Sequence, residues 1–147
     1  GGVININFGS GFISAEAMDW NNSIKQQVVS MAAEKGLEHN SPEVIEFIKN
    51  YRRENPYPFA SLDNVLDHVD HVVALAGVDS VGVGSDFDGL GDSLPVGLKD
   101  VAAYPTLIDG LLARGYNESE IERILGGNLM RVWAAVEDYA ARQARGR

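Results

Sequence analysis

The spacing of apolar and polar positions changes several times along the chain, and each change marks an element. In "VININF", Val3, Ile4, Ile6 and Phe8 are interleaved with Asn5 and Asn7. This alternation predicts a strand over residues 3–8 with the two asparagines on one face. "GSGFIS" follows as a glycine-rich exit. From about Asp19 to Lys35 the period becomes helical, with Ile24, Val28, Met31 and Ala32 on one side and Gly36 as the stop. A further helix is predicted from Ser41 as N-cap and Pro42 in its first turn, with Val44, Ile45, Phe47, Ile48 and Tyr51 as its apolar stripe. "NPYPFA" breaks it, because a residue preceding proline is pushed out of the α region.

The pattern restarts at Ser61. In "SLDNVLDHVDHVVALAG", Leu62, Val65, Leu66, Val69, Val72 and Val73 keep the helical period until Gly77. The β-branched run in "SVGVGSDFDG" predicts a strand of about five residues, followed by a Gly/Pro-containing loop to about Asp100. Three helical pieces close the chain. The first carries Leu107, Ile108, Leu111 and Leu112, and the second has capping-box spacing from Asn117 to Glu120. The third, "GNLMRVWAAVEDYAARQ", places Leu129, Val132, Trp133, Val136 and Tyr139 on one face. Two apolar strands joined by a long helical crossover read as a parallel βαβ unit. Parallel sheets, however, are covered on both faces and normally contain more than two strands. The chain has helix enough to cover a sheet and little sheet to be covered.

Composition narrows the choices of chemistry. The 147 residues are 45% hydrophobic and 22% charged, ordinary for a single domain, with a net charge of −9. That acidic balance argues against a nucleic-acid partner, since phosphate binding requires a density of Lys and Arg. The one basic cluster, Arg142 to Arg147, reads as a solvated terminus. Without cysteine there is neither disulfide, thiolate metal site nor Cys nucleophile, and the composition fits either redox compartment. No apolar run approaches the ~20 residues of a membrane span. The sequence opens directly on the first strand, with no leader pattern ahead of it.

The candidate chemistry lies in "DFDGLGD". Asp86, Asp88 and Asp92 begin like a calcium loop, with Gly91 at its turning position, but Leu90 and Gly97 fall where oxygen ligands are required. A carboxylate at the C-terminal end of a parallel strand is the alternative, since functional side chains of α/β sheets and barrels collect there. A loop-capping Asx turn at Asp86 stays equally open on spacing alone. His68 and His71 share a helix face, but with His39 as the only other histidine they read as a packing pair, with Asp67 and Asp70 free to bond them or solvent. Asn5 and Asn7 suit either a barrel mouth or a hydrogen-bonded core. There is no nucleophile elbow and no phosphate-binding loop.

The run from Leu66 to Gly89, "LDHVDHVVALAGVDSVGVGSDFDG", resembles the signature region of the renal-type membrane dipeptidases, peptidase family M19. "GGVININF" at the start and the stretch from Leu94 to Trp133, ending in "GGNLMRVW", continue the resemblance over essentially the whole chain. It implies the fold class α/β, the C-terminal part of a (β/α)8 TIM-type barrel with two recognisable parallel strands, residues 1–147 forming a single partial domain. It also implies a dipeptide substrate and a binuclear zinc centre whose ligands lie on earlier strands, so that no metal ligand falls in this chain. Asp86 matches the family's last-strand acid, the proton acceptor and donor beside a zinc-activated water. Phe12 matches an aromatic position near the substrate, and Asn7 would face the barrel mouth. Asp88 matches no role and reads as scaffold.

Two consequences follow from the resemblance. The chain alone should be inactive, and its open strand edges should favour a homo-oligomer or pairing with a missing N-terminal barrel portion. The alternatives are a non-catalytic remnant serving as an interaction module, and a small doubly wound domain with a Mg²⁺ pocket at Asp86 and Asp88.

Overall fold

The structure, a computed structural model, describes residues 1–145; the end of the basic tail from Arg142 to Arg147 lies outside the described residues. Strand β1 (Ile4–Ile6) leads into a one-turn helix α1 (Ser10–Ile13), then α2 (Ala15–Lys35) and α3 (Pro42–Glu54). Helix α4 (Leu62–Ala76) and a tight turn at Val78–Ser80 precede strand β2 (Val81–Val83). After the loop come α5 (Tyr104–Ala113), α6 (Glu118–Glu122) and α7 (Asn128–Arg145). No helix among the described residues is long and apolar enough to cross a membrane.

β1 and β2 pair in parallel, Ile4 opposite Val81, Asn5 opposite Gly82 and Ile6 opposite Val83. The strands are shorter than their apolar runs. Phe8 is fully buried, yet it lies beyond the ladder, so burial and hydrogen bonding part company there. Gly82 is required by its neighbour, because a Cβ there would collide with the Asn5 side-chain oxygen. At Gly84 a Cβ would lie 3.0 Å from that of Asn5.

The glycine-rich exit forms a helical turn rather than an irregular loop. α2 also begins earlier than its apolar period suggests, because Ser14 caps it by accepting the Ala17 N–H at 3.3 Å. Ser41 caps α3 in the same way through Val44, and Asn117 and Glu120 close the reciprocal box at the start of α6.

The main core joins Ile6, Phe8 and Val81 of the strand region to Val65 and Val69 of α4 and Leu107 and Leu111 of α5. α5 settles on α4 at Gly110, where a Cβ would stand 2.9 Å from Leu66 Cδ1. A second, smaller core of Val28, Ala32 and Val44 lies between α2 and α3. The amide Nδ2 of buried Asn128 donates to the carbonyls of Val78 at 2.7 Å and Val81 at 2.9 Å, tying α7 to the start of β2. Arg131 reinforces this by donating to Asp79 O at 2.7 Å. The Gly-Asn-x-x-Arg pattern is therefore an anchor for the last helix. The apolar stripe of that helix is exposed, Trp133 at 58% and Val136 at 62%.

Candidate functional site

Because the strands are parallel and in register, they end side by side. The ladder runs on through the Gly84 N–H to Ile6 O at 2.9 Å, which delivers Asn7 and the "SDFDG" segment to the same edge. Asp86 then takes a φ of +57°, the one non-glycine residue with positive φ among the described residues. Aspartate tolerates this left-handed region better than most residues, at a cost on the order of 1 kcal/mol. Such backbone is held only where the surroundings fix it.

The surroundings here are specific. Asn7 Nδ2 donates to Asp86 Oδ2 at 2.7 Å, while Asn7 Oδ1 accepts the Gly9 N–H at 2.7 Å. These two bonds fix which end of the amide faces the carboxylate, since the carboxylate accepts and the backbone N–H donates. Ser85 shares a 2.6 Å hydrogen bond with the Tyr104 hydroxyl. Phe87 sits edge-on between Phe8, 6.0 Å away, and Tyr104, 6.1 Å away. Two of the residues in "SDFDG" thus anchor the segment, and Asp86 is the one presented outward on a partner. Asp88 is exposed in the loop beyond, so no packing stands behind the scaffold role expected of it.

Next to this pair opens a cleft of about 630 Å³. Phe12 lines it and is 67% exposed. Gly9 belongs to both places, as the amide that holds Asn7 and as part of the cleft wall. A Cβ at Gly9 would come within 2.8 Å of Leu90 Cδ1 and 2.9 Å of Phe12 Cδ2, so the wall needs glycine. Asp86 and Asn7 stand beside the cleft rather than in its lining. The sequence analysis assigned nothing to Trp20, Arg52, Tyr57 or Phe59, which also line it. Its one signal was the density of aromatic residues around the prolines of "NPYPFA".

The histidines are placed elsewhere. His68 and His71 are exposed on α4, and His68 Nδ1 lies 2.9 Å from Asn64 O of its own helix. The neighbouring acids turn away from them. Asp67 and Asp70, with Asp63 on the same face, receive hydrogen bonds from Arg114 at 2.8, 2.6 and 3.2 Å. These bonds, that from Asp67 foremost, hold the Arg114 guanidinium above its already high range. Tyr116 donates to Asp70 at 2.7 Å, and burial, followed by that bond, pushes its phenol up from the ordinary value. This is a clasp between α4 and the end of α5. Among the described residues no group of three or more His, Asp or Glu side chains is arranged to hold a metal ion.

Three comparisons with known proteins bear on the site. The profile of the membrane dipeptidases, peptidase family M19, matches residues 1–146. Dipeptidase 3 of Mus musculus is 46% identical over 79 residues, 54% of this chain and 16% of that protein. Dipeptidase tcpJ of Claviceps purpurea is 42% identical over 100 residues, 68% of this chain and 23% of its own length. The crystal structure of the probable dipeptidase PvdM from Pseudomonas aeruginosa superposes with a TM-score of 0.60 at 22% identity, covering 90% of this chain and 36% of that one. The fold is shared, and the chain spans well under half the length of each of these relatives.

Proposed function

The chain belongs to the membrane dipeptidase family, peptidase family M19, and from that premise we propose that it supplies the C-terminal part of a dipeptidase barrel, with Asp86 as the acid/base. The observation that carries this reading is the Asn7–Asp86 pair. A strained carboxylate and the amide that orients it come from two different strands, 79 positions apart in sequence, and meet where barrel enzymes place their chemistry. Two parallel strands in a helix-rich chain, and the overlap with a longer dipeptidase, support the barrel reading.

In hydrolysis of a dipeptide, water adds to the carbonyl carbon and loses a proton, and the C–N bond breaks as the departing amine gains one. Asp86 accepts the first proton and returns it to the amine. Asn7 occupies Oδ2, which leaves Oδ1 of the carboxylate for the proton in transit. Asn7 is therefore a positioning residue, and Phe12 a wall of the substrate cleft. The family resemblance implies zinc. The described residues hold no donor cluster that fits it, so no step assigned here runs through a metal held by this chain. The reading therefore has the isolated chain inactive, with the open strand edges and the exposed stripe of α7 covered by further barrel segments or by a second copy.

The test is complementation. Co-expressed with the part of a family relative that precedes this region, the chain is expected to give zinc-dependent dipeptide hydrolysis. Asp86→Asn should lower kcat by roughly 10²–10⁴-fold. Asparagine keeps an acceptor for Asn7 and tolerates the left-handed backbone, so folding is preserved. Asp86-dependent turnover by the chain alone, with zinc added, would overturn its inactivity. A complemented enzyme indifferent to Asp86→Asn would remove the acid/base role.

A further inference from the structure

The cleft beside Asp86 is built mainly by the α2–α3 hairpin and the segment that follows it, and its walls have the chemistry of a side-chain pocket. Its volume of about 630 Å³ is within the range that holds small ligands. Trp20 meets Tyr57 edge-to-face with centroids 5.0 Å apart, and Tyr57 meets Phe59 in the same way at 5.0 Å. Trp20 Nε1 donates to Asn55 O at 2.9 Å, and the Lys99 ammonium stands 3.8 Å over the Phe59 ring. Buried Ser10 fastens two of the walls, accepting the Ala60 N–H at 3.0 Å and donating its own N–H to Ser93 O at 2.8 Å. The aromatic walls are thus ordered before any ligand arrives, which lowers the cost of binding one. Arg52 lines the same cleft and forms no ion pair among the described residues, whereas the other cation nearby, Lys99, is held by Asp92 at 2.6 Å.

We infer that this cleft is the pocket for the C-terminal residue of the dipeptide, selecting a large aromatic side chain and engaging its free carboxylate through Arg52. The inference rests on the acid/base reading of Asp86 for its direction. The amine that Asp86 protonates belongs to the C-terminal residue of the substrate, and Gly9 joins the Asn7–Asp86 pair to the cleft, so that residue is the one on the cleft side. An aromatic ring against Phe12, Trp20 and Tyr57 accounts for four apolar rings gathered beside a solvent-exposed acid. The unpaired guanidinium accounts for the terminal carboxylate.

The experiment uses the full chain carrying Trp133→Phe, an exposed change that leaves Trp20 as the sole tryptophan. Glycyl-phenylalanine, glycyl-glycine and glycyl-phenylalaninamide are titrated by Trp20 fluorescence and by calorimetry. Glycyl-phenylalanine is expected to bind roughly tenfold or more tighter than glycyl-glycine, with a change in Trp20 emission. Amidation of the ligand and Arg52→Gln should each weaken it by about tenfold or more, and should not add to one another. Equal affinity for the two free dipeptides, or binding that leaves Trp20 emission unchanged, overturns the pocket. Arg52→Gln without effect overturns the carboxylate contact. Binding is read without turnover, so the pocket and the acid/base role fail separately: Asp86→Asn should abolish hydrolysis in the complemented enzyme while leaving this preference in place.

Discussion

The strand-bearing body and the α2–α3 hairpin are held together in opposite ways. In the body, residues far apart in sequence meet: β1 pairs with β2, Asn128 reaches back to Val78 and Val81, and Asn7 reaches forward to Asp86. Its core is continuous from Phe8 to Ile124. The hairpin is local. Its two helices carry side-chain caps at Ser14 and Ser41, its small core is Val28, Ala32 and Val44, and it joins the body at the α1–α2 corner and at the Trp20–Tyr57 contact. The difference separates two tasks. The body fixes where Asp86 stands, and the hairpin shapes what lies beside it. A specificity wall can be altered at low cost when it rests on its own small core.

Asn128→Ala should break the body most severely. It leaves two carbonyls at the start of β2 without their donor in a buried setting, at a cost of about 2–4 kcal/mol. Urea unfolding should show that loss, and the Asn7–Asp86 geometry should go with it. Val44→Ala tests the other side. This fully buried residue lies between α2 and α3, and truncation should cost about 1.5–2.5 kcal/mol. Hydrogen exchange should show the loss of protection confined to residues 15–54. Equal loss in β1 and α4 would mean that the two regions are one cooperative unit.

A finer test probes the clasp at the far end of α4. Tyr116→Phe removes the hydrogen bond to Asp70 and should cost about 0.5–1 kcal/mol. The sign of its pH dependence follows from the raised phenol. The folded state holds the proton more tightly than the unfolded chain, so the contribution is fully present below pH 10.0 and is lost as pH rises above it. The phenylalanine variant should flatten the stability profile on that alkaline side. The smallest effect belongs to the hairpin. The Glu16 carboxyl is held below its ordinary value by hydrogen bonds from its own backbone N–H and the Ser14 hydroxyl. Its contribution is present above pH 4.5 and is lost as pH falls through the lowered value. Glu16→Gln should remove that acid-side slope from the protection of α2 while leaving the body unchanged.

The local elements were legible because their causes are local. Ser41 with Pro42, Ser61, and Asn117 with Glu120 announce helix starts through groups a few positions apart, and the helices begin there. Gly36 and Gly77 end helices with positive φ, as their freedom allows. The start of α2 was read too late because Ser14 caps it through a short polar turn that an apolar period does not reveal. The acids beside His68 and His71 were read with the histidines, whereas Arg114, 44 positions beyond Asp70, takes them up. No periodicity encodes such a partner.

By itself, the sequence determined the order of helices and strands, the membership of the chain in its family and the segment in which a functional acid would stand. These rest on periods, caps and motifs that the chain carries within a few residues of one another. Only the tertiary structure decided that Asn7 orients Asp86, that the acid is held in left-handed backbone, and that Phe12, Trp20, Tyr57 and Arg52 face one cleft. Each of those depends on bringing distant segments together, through the parallel register of β1 with β2 and the folding of the hairpin back toward the strand ends. Long-range pairing is set by the sum of many weak contacts, and that sum exists only in the folded chain.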